Sequence, residues 1–155
     1  MRFFIALACT MLLAGTAHAQ AARDRAIVLM SENPQTRAAQ ERIGWADAVI
    51  IDGTIYISGV VAVQATDEAT PEAGFVRAFE RLGAILKRAG AGWGDVVEIR
   101  SYHTDPQAQI ETFSAVKSRY IKPPHPAWTA VGTTQLLQPR GVAEISLVAR
   151  LATRP

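Results

Sequence analysis

The stretch Trp45-Ala46-Asp47-Ala48-Val49-Ile50-Ile51-Asp52-Gly53-Thr54-Ile55-Tyr56-Ile57-Ser58-Gly59-Val60 reads as two strands joined by a tight turn. Ala48 to Ile51 and Ile55 to Ser58 are rich in the β-branched and aromatic residues that suit a pleated, half-buried surface. Asp52-Gly53 between them tolerates the positive φ angles of a two-residue hairpin. Ser58-Gly59 then breaks the apolar alternation. It reads either as a β-bulge or as a place where the backbone stays open to a ligand, and the pattern favours the bulge.

Downstream of the hairpin, Thr70-Pro71-Glu72 carries a helix-start signal: a capping hydroxyl, a proline and an acid in the first turn. Phe75, Phe79, Leu82 and Leu86 share one helical face, and Gly90 and Gly92 close the helix. Residues 95–102 read as a strand. Asp105-Pro106 opens a second helix, with Ile110, Phe113, Val116 and Tyr120 as its stripe, and Lys122-Pro123-Pro124 stops it. Two closing strands follow, at 127–132 and 142–151, joined by the loop 133–141. The proline-punctuated start of the first, Pro126-Ala127-Trp128, and the acid in the second, Glu144, are expected at the mouth of one pocket.

Upstream, residues 26–30 form a short apolar run consistent with a buried strand. Residues 31–42 are polar, contain Asn33-Pro34, and read as a loop with at most a helical turn. The first nineteen residues have a basic start, an apolar run from Phe3 to Ala14, and small residues at Ala17 and Ala19. That is the pattern of a secretory signal peptide cleaved after Ala19. The organisation expected is therefore a signal peptide at 1–19, a leader with the first strand and loop at 20–43, and one folded domain at 44–155. The destination is periplasmic or secreted.

About 136 residues remain after cleavage, enough for one core. The single cysteine, Cys9, lies in the signal, so the mature chain has neither disulfides nor thiol chemistry. Without Arg2 the balance is 15 basic against 14 acidic side chains, scattered along the chain. This gives no electrostatic case for nucleic acid or a membrane surface as partner. The element order implies an α+β fold with one mixed sheet and two helices on one face. The other face, with Trp45, Tyr56 and Trp128, is more apolar than a solvated face allows, so oligomerisation is expected.

Strong chemical signatures are missing from the sequence. No glycine-rich phosphate loop precedes a helix. His103 and His125 lack partners at metal-ligand spacing, so no metal is expected. His125, between prolines, reads as a surface or packing residue. Glu144 remains: among apolar neighbours it is either an outward residue of an alternating strand or a buried acid suited to proton transfer.

The segments Ile55-Tyr56-Ile57-Ser58-Gly59, Ala84-Ile85-Leu86-Lys87-Arg88-Ala89-Gly90, Asp95-Val96-Val97, Pro126-Ala127-x-Thr129-x-Val131 and Val142-Ala143-Glu144-Ile145 resemble the RidA/YjgF (Rid) family, in one register from about Gly44 to Leu151. The resemblance implies a chorismate-mutase-like α+β fold and a homotrimer whose sheets close a central barrel, with ligand clefts between subunits. It implies cofactor-free hydrolysis of enamines and imines such as 2-aminoacrylate to keto acids and ammonia. Carried over by position, Ser58-Gly59 and Ala130 line the cleft and Glu144 positions the attacking water. Trp45 stands where active members have a tyrosine, and Tyr56 is a further aromatic neighbour.

One departure stands out. The position after Pro126-Ala127 holds a carboxylate-gripping arginine in active members, and here it is Trp128. An indole offers one N–H and an apolar face in place of a charged fork. Arg140 or Arg42 could supply another guanidinium from a loop. Three readings follow: an exported Rid-type protein binding a small aromatic or apolar metabolite between subunits through Trp45, Tyr56 and Trp128, with standard deamination doubtful; an enamine/imine deaminase using Glu144; or a trimer acting through its surface as an interaction or chaperone-like factor.

Overall fold

The computed structural model describes residues 24–151. The signal peptide expected at 1–19, the start of the leader, and residues 152–155 lie outside them.

The hairpin forms as its sequence dictates. β2 (Ala48–Ile51) and β3 (Thr54–Val63) are linked by Asp52 at φ 48° and Gly53 at φ 72°, a turn with positive φ at both central positions. β1 (Ile27–Leu29) adds antiparallel to β2. β4 (Val96–His103), β5 (Ala127–Gly132) and β6 (Gly141–Arg150) complete a six-stranded sheet in the order β1-β2-β3-β6-β4-β5. Only β4 and β5 pair parallel, through a crossover helix, so the sheet is mixed as expected.

Two helices cover one face: α2 (Glu72–Arg88) and α3 (Pro106–Tyr120). Phe75, Phe79, Leu82 and Leu86 of α2 and Phe113 and Val116 of α3 are fully buried. They meet Ile55, Ile57, Val60 and Ala62 of β3, Ile99 of β4, and Ala143, Ile145, Leu147 and Ala149 of β6. The period-2 alternation of the strands makes this face continuous. Burying such side chains contributes about 1.5–3 kcal/mol apiece, so this layer carries the domain's stability.

Three local expectations change. Residues 34–43 are not a loop but a third helix, α1 (Pro34–Ile43), capped by the Asn33 side chain on Thr36 N–H and ended by Gly44 at φ 93°. Its one buried residue is Gln40, whose amide donates to Asp47 Oδ1 (2.8 Å) and accepts from Ser31 N–H (2.8 Å). Asp47 in turn accepts from Arg88 at the end of α2 (2.9 Å). The helix is thus held by a polar relay, which hides it from any search for an apolar stripe. Second, Thr70 does not cap α2: the helix starts at Glu72 with no side-chain cap, and Phe75 N–H bonds Pro71 O instead. Third, the strand at residues 26–30 is not buried. β1 is a sheet edge, with Ile27 60 % and Val28 52 % exposed.

Candidate functional site

The site begins with an irregularity in β3. Ile57 pairs with Leu147 and Val60 with Ile145, so Ser58 and Gly59 together oppose the single residue Ser146. This is a β-bulge, as the sequence pattern favoured. Ser58 N–H is turned to Asp47 O (3.0 Å), which fastens the bulge to the start of β2. Trp45 lies two residues before Asp47, just beyond the Gly44 cap, and its side chain is partly exposed.

Glu144 reaches across this bulge. A Cβ placed on Gly59 would come 1.9 Å from Glu144 Oε1. The carboxylate therefore rests against the bare backbone of Gly59, where a side chain could enter only by displacing it. Of the two readings of Glu144, the structure gives the outward one: it is half-buried on the face without helices, between Val61 of β3 and Tyr102 of β4. Its carboxylate has no hydrogen-bond partner among the described residues. Tyr56, 51 % exposed, stands on the same face. A depression of about 170 Å³ is lined by Tyr56, Ile57, Glu98, Arg100, Ser146, Leu147 and Val148.

Trp128 is elsewhere. β4 separates β5 from β6, and Trp128 pairs in register with Ile99, a core residue. Its ring lies 5.6 Å from Phe113 in a near-parallel stack, and its Nε1–H donates to Ser101 Oγ (3.0 Å). Lys117 Nζ sits 4.0 Å above the same ring, and burial pushes this ammonium below the ordinary lysine range. Trp128 and Ala130 thus belong to the helix-covered side of the sheet edge, and Glu144 to the open side. Within one subunit they do not share a pocket. The sequence could not show this, because alternation fixes which residues of a strand agree, not which face they take.

Beneath Trp128 a polar chain continues inward. Ser101 Oγ lies 3.0 Å from Nε2 of His103, which is fully buried. Since Trp128 already donates to Ser101, the hydroxyl hydrogen is free to go to His103 Nε2. His103 Nδ1 makes no hydrogen bond of normal geometry among the described residues. Burial, partly offset by Gln109, pushes the imidazole below its ordinary value. This is a packed histidine. His125 is exposed. Among the described residues no cluster of three His, Asp or Glu side chains could hold a metal ion.

Neither loop arginine is seen to replace the missing guanidinium. Arg140, at φ 61°, donates to Gln64 O through Nε (3.1 Å) and Nη2 (2.5 Å). Arg42 lies on the last turn of α1 and is exposed. A second, broader groove of about 510 Å³ runs along Glu68, Thr70, Glu72, Val76 and Arg77. There the Arg77 guanidinium and the Ala65 N–H hold the Glu68 carboxyl down at about 2. These bonds pin the loop before α2.

A family model described as Endoribonuclease L-PSP matches residues 35–151. The chain belongs to this family, the RidA/YjgF proteins. Among RidA/YjgF relatives, it is 39 % identical over 87 residues to the RutC family protein YjgH of Escherichia coli (strain K12), an alignment covering 53 % of this chain and 65 % of that protein, just under two thirds. A structural-genomics structure of protein YJGH superposes with a TM-score of 0.68 at 30 % identity, covering 83 % of this chain and 98 % of the other. RidA from the Antarctic bacterium Psychrobacter sp. PAMC 21119 gives a TM-score of 0.62 at 26 % identity over 70 % of this chain and 89 % of that one. The fold is accordingly the chorismate-mutase-like α+β fold of RidA/YjgF proteins.

Proposed function

We propose that this protein binds a small metabolite in a cleft completed between the subunits of a homotrimer, and that it does not carry out the standard deamination of 2-aminoacrylate. The observation that carries this reading is the engagement of Trp128. Its single N–H is bonded to Ser101, one face is stacked on Phe113, and a lysine lies over the ring. Nothing at this position is left to grip a carboxylate. The open face, with Tyr56, Ser58, Gly59 and Glu144, keeps the polar groups a ligand needs.

The trimer is supported by the uncovered sheet face, which exposes Val28, Tyr56, Tyr102 and Val131. Only a second subunit could bring the β5 edge of one chain to the Glu144 side of another. Export to the periplasm or medium is part of the proposal, supported by the N-terminal pattern alone. Mass spectrometry of the protein secreted by a bacterial host is expected to give a chain beginning at Gln20.

The deciding experiment offers purified mature protein imines generated in situ and follows keto-acid release, alongside tryptophan fluorescence against a metabolite panel. We expect release no faster than free hydrolysis, together with a saturable fluorescence change for at least one metabolite. Acceleration that disappears in Glu144→Gln would establish the deaminase instead. A flat fluorescence response to the whole panel would leave the surface-acting trimer as the standing reading.

A further inference from the structure

Strand alternation turns Ile99, Ser101 and His103 of β4 towards the helices and Glu98, Arg100 and Tyr102 to the open face. Arg100 stands in register with Ser146 of β6, two residues from Glu144, and Tyr102 stands opposite Glu144 itself. A guanidinium therefore lies one diagonal step from the acid, on the same face and inside the depression that Tyr56, Ser146 and Val148 line.

Its hydrogen bonds show what it has left. Arg100 Nε donates to Glu98 Oε1 (2.7 Å) and Nη2 to Glu98 Oε2 (3.1 Å). This side-on fork uses two of the five N–H groups of a guanidinium. The end-on edge, Nη1–H with the outer Nη2–H, has no acceptor among the described residues, and the Arg100 side chain is 54 % exposed. Glu98 is the more buried partner at 30 % and fixes the plane of the fork. Tyr56 Oη and Ser146 Oγ, on the walls of the depression, also lack partners among the described residues. By contrast Arg150, on the same strand face as Glu144, is occupied with Thr54 and Asp52 at the hairpin turn.

We propose that Arg100 is the ligand-anchoring guanidinium of this protein, taking a small organic carboxylate through its end-on edge while Glu98 holds it in plane. The anchor has thereby moved from β5 to β4, onto the face that carries Glu144. An end-on carboxylate forms two parallel charge-assisted bonds, the geometry in which arginine is strongest. Tyr56 and Ser146 can donate to a second polar group of the same molecule, and Val148 can meet a short carbon chain. The inference rests on the reading of the open face as the ligand site and adds to it the chemical class of the ligand.

The test titrates the assembled mature protein with pyruvate and with methyl pyruvate, the same molecule without its charge, at constant ionic strength. Pyruvate is expected to bind about tenfold or more tightly than the ester. Arg100→Gln should lose that preference, binding both alike, and Arg100→Lys should keep part of it. Equal pyruvate affinity in the native protein and Arg100→Gln overturns the proposal. If pyruvate does not bind while a neutral ligand shifts the fluorescence in a Tyr56- and Glu144-dependent way, the anchor is refuted and the cleft reading stands. If neither binds, both fall.

Discussion

Gly59 and Glu144 form a contact in which one side chain occupies the space the other residue lacks. Gly59→Ala must displace the carboxylate, but the displaced atoms are the end of a flexible side chain on a half-open surface. We predict a stability loss of about 1 kcal/mol or less by urea denaturation, with ligand response reduced as much as in Glu144→Gln. Trp128 behaves oppositely, because its ring is part of the helix-side packing. Trp128→Arg exchanges a stack and an N–H bond for a second cation beside Lys117, so a loss of about 2 kcal/mol is expected from the same measurement. Any deaminase activity gained by this variant would have to arise in the cleft between subunits, because within one chain the new guanidinium lies on the opposite side of the sheet from Glu144. His103 supplies a pH signature. Its imidazole is held neutral by burial, with a folded value below the ordinary 6.5. Well above pH 6.5 neither the folded nor the unfolded chain carries this proton. As pH falls through that value the unfolded chain binds it first, so stability drops. Denaturation at pH 7.5 and 5.5 should show a decline that His103→Gln flattens.

At the scale of elements, sequence and structure agree where burial writes a period and diverge where it does not. The hairpin, α2, α3 and the closing strands were legible because Phe75 to Leu86, Phe113 with Val116, and Ala143 to Ala149 repeat at helix or strand spacing. α1 was not, since its inward residue is Gln40 and its neighbours are polar. The Asn33-Pro34 start and Gly44 stop were the available signals, a cap with proline at one end and a glycine at the other. Arg100 was missed for a related reason: a charged residue in an alternating strand is the ordinary surface pattern, and only the fold shows what surface it is. The polar relay around Asp47 predicts a further outcome. Asp47 is 5 % exposed and serves Gln40 and Arg88 together. Asp47→Ala leaves the buried Gln40 amide N–H unmet and takes one partner from Arg88, which keeps Met30 O and Glu32, and should cost about 2 kcal/mol. Hydrogen exchange should locate that loss in α1 and the C-terminal turn of α2, sparing β4 and β6.

For the whole molecule, the sheet divides the protein into a packed side and an unfinished one. The helix side is closed by aromatic contacts that run from Trp128 through Phe113 and Phe79 to Trp93 and Tyr120. The open side carries Tyr56, Tyr102, Val131 and the charged pair on β4, with no covering layer among the described residues. Sedimentation of the mature protein is therefore expected to give a trimer at micromolar concentration. A charge placed in the middle of that face, Val148→Glu, should shift it towards monomer. A monomeric native protein would contradict the proposed cleft, because the β5 edge and Glu144 would never meet.

The alternation of β4 has one more consequence. Each of its residues answers to one side of the sheet only: Ile99, Ser101 and His103 to the core, Glu98, Arg100 and Tyr102 to whatever the open face meets. Selection can rewrite the second set while the first stays fixed, so recognition and foldability are inherited on separate, interleaved positions. A lineage built this way can lose a gripping arginine on one strand and gain another on its neighbour without passing through an unfolded ancestor.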